Sequence, residues 1–182
     1  MSWVADTGPL VHFAKAGWLG VLKMLAPSHR IMIPDVVEQE LKNHVSQYSY
    51  LQSVLDAEWI TIVTLEPRDL NAFGLYTQRL VGTDGRNMGE CGVLALAENR
   101  SWVAILDDNE ASKAAKEIPA TPIEVRRTLS LLCDAINDGH LTRELVSALC
   151  DDLADSKYRV PFKPGGFIQW AEENGRIQQS PS

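Results

Sequence analysis

Short apolar runs alternate with helical periods through the first two thirds of the chain. Ser2–Asp6 predicts a short buried strand closed by the turn Thr7-Gly8-Pro9. Leu10–Leu25 has the spacing of a helix, interrupted around Gly17. Arg30–Ile33 predicts a second strand, and Pro34 suits the first position of a helix that reaches about Val45. Trp59–Leu65, rich in β-branched residues, predicts a third strand, and Glu66-Pro67-Arg68 a turn. Helical character returns over Asp69–Leu80, and Gly82-Thr83-Asp84-Gly85 forms a loop. Met88–Asn99 predicts a mostly apolar helix, Trp102–Leu106 a fourth strand and Asn109–Glu117 a further helix. Beyond these, Val125–Asp138 and Thr142–Asp155 predict a helical pair joined through Gly139. A short helix over Phe167–Asn174 precedes a disordered tail, Gln178–Ser182.

Strands that are apolar throughout, and separated by helices, imply an α/β fold with a parallel sheet flanked by helices. The prolines at Pro119–Pro122 divide the chain into an α/β part, residues 1–120, and a helical C-terminal extension, residues 121–182, packed on the same domain. A chain of 182 residues with 45% hydrophobic and 23% charged residues can bury a core without staples. Three cysteines, Cys91, Cys133 and Cys150, have no C-x-x-C spacing, so a disulfide framework or zinc site is not expected. No signal peptide and no membrane span is expected either, and a reducing cytoplasm is the expected location.

The net charge of −7 argues against a surface that grips nucleic acid tightly and without specificity. Setting aside five acids, Asp6, Glu40, Glu90, Asp107 and Asp108, leaves −2, and divalent ions would neutralise that group. Asp6 follows the first predicted strand and the Asp107-Asp108 pair follows the fourth, the ends at which functional groups collect in an open parallel sheet. Each has a bland alternative as a turn or cap residue, and Asp107 with Glu110 has capping-box spacing. Glu40 falls among Val36, Val37, Leu41 and Val45 on the inward arc of its helix, where a carboxylate needs a cation or a donor. Glu90 opens a helix apolar all round, although Asn87-Met88-Gly89-Glu90 also spells a capping box. Converged on one pocket, such acids would repel by about 3 kcal/mol per pair at about 5 Å. Oxygen-only donors favour Mg²⁺ or Mn²⁺ as the relief. His44 lies one turn after Glu40, where a partly buried, hydrogen-bonded histidine is expected.

These residues resemble the PIN-domain nucleases. Val4-Ala5-Asp6-Thr7-Gly8-Pro9-Leu10 is similar to the family's opening strand and first acid. Ile33-Pro34-Asp35-Val36-Val37-Glu38-Gln39-Glu40-Leu41 is similar to its second motif, with Glu40 as the acid. Gly89-Glu90-Cys91-Gly92-Val93-Leu94-Ala95-Leu96-Ala97 resembles the third and Ile105-Leu106-Asp107-Asp108 the fourth. Two positions depart from the pattern: the third acid is Glu where many toxins of the family have Asp, and Leu106 stands where Thr is frequent. The helical tail is similar to VapC-like toxins and uncharacterised PIN proteins.

The resemblance implies a PIN-like fold and metal-dependent hydrolysis of RNA by Asp6, Glu40, Glu90 and Asp107, with Mg²⁺ or Mn²⁺ held by Asp6, Glu90, Asp107 and Asp108. Asp107 is nearer the strand end, while Asp108 suits capping of the next helix. Thr7 would orient Asp6 or a water, and Arg79, Arg86, Lys113 and Lys116 would hold the RNA backbone. It also implies an antitoxin partner and a homodimer, the latter through apolar surface at Val125–Leu132 and around Phe167 and Trp170. A phosphotransferase using Asp6 lacks its Asp-x-Asp, because residue 8 is Gly8. A catalytically inactive PIN scaffold that binds RNA or protein is the alternative, and would be marked by loss of one or more acids.

Overall fold

A computed structural model describes residues 1–82 and 85–178. The loop residues Thr83 and Asp84 and the tail residues 179–182, both anticipated from sequence as irregular, lie outside the described residues. Strand β1 (Trp3–Ala5) is fully buried and leads into α1 (Thr7–Lys15). Gly17, at φ +80°, makes the break before α2 (Leu19–Leu25), as its position in the apolar pattern predicts. Strand β2 (Ile31–Pro34) runs directly into α3 (Asp35–His44). Pro34 is the extended residue before this helix (ψ 152°) and not its first helical residue. A single helical turn, Ser49–Leu51, and the short α4 (Gln52–Leu55) fill a segment the hydrophobic pattern leaves blank.

Next come β3 (Ile60–Val63), α5 (Leu70–Leu80), the buried α6 (Met88–Arg100), β4 (Val103–Ile105) and α7 (Asn109–Glu117). Asp69 is fully buried at the start of α5 and takes a 2.7 Å ion pair from Arg100 at the end of α6, which ties the two helices together. The segment expected to be helical from Val125 is different. Val125–Arg126 is strand β5, and helix α8 (Thr128–Asn137) begins only after it. Val125, Leu129 and Leu132 have helical spacing, and a two-residue edge strand carries no period of its own to oppose that. Thr142 then caps α9 (Arg143–Asp155) through its hydroxyl, and α10 (Phe167–Glu173) closes the described chain.

All five strands are parallel, in the order β3-β2-β1-β4-β5. Among the described residues ten helices flank this sheet. The expected parallel α/β architecture is therefore the observed one, with a fifth strand drawn from beyond Pro119–Pro122. One core runs from Val4 and Ile105 in the sheet, through Leu94 of α6, to Leu149 of α9 and Phe167 of α10. Leu131, Leu132 and Phe167 are spent inside this core, whereas Val125, Leu129 and Trp170, from the apolar surface expected for a dimer, stay partly exposed. Exposed large apolar side chains sit elsewhere, at Ile62, Leu70 and Leu75 on β3 and α5. Cys91, Cys133 and Cys150 are buried free thiols. No helix of the described residues is long and apolar enough to cross a membrane.

Candidate active site

The chain leaves β1 in one direction to build β2 and β3, then returns to the other side for β4 and β5. Its switch point therefore lies between β1 and β4, and crevices in open parallel sheets form just beyond the carboxyl ends of such strands. Asp6 leaves β1 there, its N–H donating to the Ile105 carbonyl at 3.0 Å. Asp107 and Asp108 leave β4 beside it.

Asp6 caps α1: its Oδ2 accepts from Gly8 N–H at 3.2 Å. Its Oδ1 is buried without a hydrogen-bond partner. Burial, then the neighbouring Glu90 and to a lesser degree Glu40, push the carboxyl up to about 8 against the pull of the Gly8 and Thr7 N–H groups. Glu40 does face inward, as its place on the apolar arc predicts. Both its oxygens have donors, the Thr7 hydroxyl at 2.5 Å on Oε2 and the Gly89 N–H at 3.2 Å on Oε1. The Thr7 hydroxyl thus reaches Glu40, while its backbone N–H faces Asp6.

Gly89 permits the approach. A β-carbon there would stand 2.8 Å from Asp6 Oδ1 and 3.1 Å from Glu40 Oε2. One turn on, a β-carbon at Gly92 would stand 2.6 Å from Val36, so α6 can lie this close to β2 and α3 only with glycine there. Both glycines belong to the stretch that suggested the third motif. Absence of a side chain is a weak pointer in a sequence, and neither was given a role.

Glu90 does not form the capping box its spacing allows. Asn87 takes the N-cap position in a left-handed conformation without capping, and its amide donates to the Leu80 carbonyl instead. The Glu90 carboxyl is pushed up by burial and by Glu40 and Asp108. Asp108 itself caps α7, accepting from Ala111 N–H at 2.7 Å. Its neighbour Asp107 has both oxygens engaged by Thr128, Oδ1 by the backbone N–H at 2.9 Å and Oδ2 by the hydroxyl at 2.7 Å. The Asp107 charge is felt by His12 and Tyr158. Geometry thus sets Asp6 and Glu40, which meet at Gly89, apart from Asp107, which is held by Thr128.

The remaining candidates divide. Arg79 pairs with Glu110 at 3.2 Å, and Lys113 pairs with the same carboxylate at 2.7 Å. This also takes Glu110 out of any capping box. Lys116 lines a shallow recess with Lys113 and Arg127, and Arg86 is exposed. His44 is exposed, not partly buried, with its Nδ1 at 2.8 Å from the Glu40 carbonyl. A cleft of about 740 Å³ opens beside the acids, reaching Asp107 and Asp108, and is walled by Arg127, Tyr158, Arg159 and Trp170. Of these four, only Trp170 drew attention in the sequence, as apolar surface for a dimer and not as a wall of this cleft.

Among the described residues no three His, Cys, Asp or Glu side chains stand close enough to form a ready metal cage. The donors nonetheless fit a hard divalent cation in kind: they are all oxygens, and one, Asp6 Oδ1, is buried and lacks any partner.

Residues 2–163 match the PIN domain family, a span that runs past β5, α8 and α9. No curated protein and no solved structure matches the chain. PIN domains are in general metal-dependent nucleases acting on nucleic acid. On a match covering most of its length, and with a five-stranded parallel sheet to house it, the chain belongs to the PIN domain family.

Proposed function

We propose that the chain is a metal-dependent endoribonuclease that hydrolyses RNA phosphodiester bonds at the end of β1. One observation carries this: Asp6 is buried with an unpartnered oxygen, beside Glu40 and Glu90. A lone buried carboxylate of that kind is costly unless a cation completes it. Asp6, Glu90 and Asp108 would hold Mg²⁺ or Mn²⁺, which when bound supplies Lewis acidity and a more acidic water. Asp108 is preferred to Asp107 because the Asp107 oxygens are already taken by Thr128.

Glu40 is a positioning residue in this arrangement. Fixed by Thr7 and by Gly89 N–H, it keeps the start of α6, and hence Glu90, against Asp6. Hydrolysis joins a water oxygen to phosphorus and releases the ester oxygen of the ribose. The surrounding carboxylates repel the phosphate unless their charge is offset, so activity without metal is not expected. All four acidic motifs retain an acid, which disfavours an inactive scaffold.

A labelled RNA incubated with the purified protein tests this. Chelation with EDTA stops cleavage and Mn²⁺ or Mg²⁺ restores it; cleavage indifferent to EDTA overturns the mechanism. A role as the toxin of a toxin–antitoxin pair is supported only by the resemblance of the helical tail, as is the homodimer. Light scattering returning a monomer mass across micromolar concentrations overturns the dimer.

A further inference from the structure

We infer that the cleft between the end of β4 and the segment 157–176 seats the single-stranded RNA flanking the scissile phosphate. This rests on the nuclease function proposed above. Arg127, Lys157, Arg159 and Arg176 line it, and none of the four pairs with a carboxylate among the described residues. By contrast Arg79, Arg126, Arg143 and Lys113 are all spent on acids. In a chain of net charge −7, unpaired cations gathered on one wall are a selective feature. Of the acids in the cleft, Asp107 is satisfied by Thr128, and Asp108 faces Glu90. The positive wall therefore adjoins the acidic site, with no ion pair among the described residues joining its four cations to those acids. A shallower recess holding Lys116 shares Asn109 and Arg127 with the cleft, which extends the basic track along α7.

Lys157 gives independent support. It follows Ser156, the C-cap of α9, with φ +76°. Its N–H returns to the Ala154 carbonyl, and the Tyr158 N–H returns to that of Leu153. This is the paired closure in which glycine is the usual occupant, because a β-carbon is strained in the left-handed region. A lysine kept there at a conformational cost, lining the cleft, is what a phosphate partner would call for. Trp170 adds a ring on the same wall, braced by Phe162 at 5.4 Å and Phe167 at 6.0 Å between centroids. A braced, half-buried indole is suited to stack one base. On the opposite flank of the acids, the small apolar pocket of Val11, Leu41, His44 and Tyr48 holds no lysine or arginine.

The test is fluorescence anisotropy of a labelled single-stranded RNA of about 12 nucleotides, in EDTA so that binding is read without cleavage. Arg159→Gln combined with Arg176→Gln weakens binding about tenfold and lowers the slope of log affinity against log salt by about 1.4. Lys157→Gly raises the melting temperature by about 2–4 °C while weakening binding several-fold. A variant that melts higher yet binds worse cannot be read as misfolded. Lys23→Gln, away from the cleft, changes neither. Unchanged affinity and salt slope in the double variant overturn the proposal, as does Lys157→Gly binding at full strength. Metal-dependent cleavage with an unaltered KM in the double variant would leave the nuclease standing and remove the cleft. RNA binding that depends on these cations, with no cleavage in any metal, would do the reverse.

Discussion

The ends of β1 and β4 lie side by side, Ala5 in register with Ile105, and each is followed within two residues by an aspartate. The two aspartates are nonetheless in opposite conditions. Asp6 has one oxygen on Gly8 N–H and the other buried with nothing. Asp107 has both oxygens satisfied by Thr128, across 21 residues of sequence, and so fastens the start of α8 to the sheet. Position at a switch point therefore nominates an acid without assigning its task. The task follows from which donors reach it, and an acid left short of donors is the one with capacity for a cation.

The sharpest test of this contrast is Asp6→Asn, which keeps the cap on Gly8 because Asn caps as well as Asp. Cleavage falls at least about 100-fold, since a change one layer further from a metal already costs 10–100-fold. Stability in EDTA moves the other way. The Asp6 carboxyl is raised in the fold, from 3.8 to about 8, so its contribution is fully present below about pH 4 and is lost as pH rises through 8. Asparagine has no proton to lose. The mutant is matched with the native protein near pH 4 and more stable by about 1–3 kcal/mol near pH 8. Thermal melts across that range check it, and a mutant less stable at pH 8 would make Asp6 a structural turn residue.

Gly89→Ala attacks the same end of the contrast from the helix side. Its β-carbon would lie 2.8 Å from Asp6 Oδ1, a contact that forces α6 or the carboxylates apart. Cleavage drops about tenfold or more, chiefly in kcat, because a displacement near 1 Å is costly in a positioned site. The Mg²⁺-induced rise in melting temperature shrinks with it. A variant with native kcat and a native metal increment would show that the acids need not meet at Gly89.

At the other end, Asp107→Asn should cost stability and spare chemistry. It removes a charge from two charge-assisted bonds to Thr128, for a loss of about 1–3 kcal/mol at neutral pH. Cleavage by the folded fraction stays within about tenfold of native, and the metal increment in melting temperature is retained. The opposite outcome, abolished cleavage at native stability, would restore Asp107 as a ligand in place of Asp108.

Much of this arrangement is legible in the sequence, and what is not has a physical reason. The apolar runs before Asp6 and Asp107 predict β1 and β4 to within a residue or two, because strands buried on both faces leave an unbroken apolar record. Glu40 is legible because a carboxylate interrupts an apolar arc. The choice between Asp107 and Asp108 is not, since it turns on Thr128, a hydroxyl 21 residues away that no local period announces. Arg127, Lys157, Arg159 and Arg176 are equally hidden. What distinguishes them from Arg79 and Lys113 is the absence of an acid partner, which only the folded chain reveals. β5 was hidden by its brevity and by the helical spacing of the residues around it.

The smallest expected effect concerns Thr7, whose hydroxyl reaches Glu40 and not the aspartate next to it. Thr7→Val keeps the β-branched shape at the start of α1 but leaves Glu40 Oε2 without its donor in a part-buried place. An unmade bond of this kind costs about 1–2 kcal/mol. Gly89 N–H still holds Oε1, so Glu40 is loosened without being released. Cleavage should fall only a few-fold, with the dependence on Mn²⁺ or Mg²⁺ concentration unchanged, because no charge has been removed from the site. Thr7→Ser restores the donor and should recover most of the rate, which a purely steric role for the threonine methyl would not allow. Single-turnover cleavage at saturating RNA, run alongside melts in EDTA, separates these outcomes. Suppose Thr7→Val instead weakened the metal dependence as strongly as Asp6→Asn does. The hydroxyl would then be serving Asp6 or its cation directly, and the division of labour between Asp6 as ligand and Glu40 as positioner would have to be redrawn.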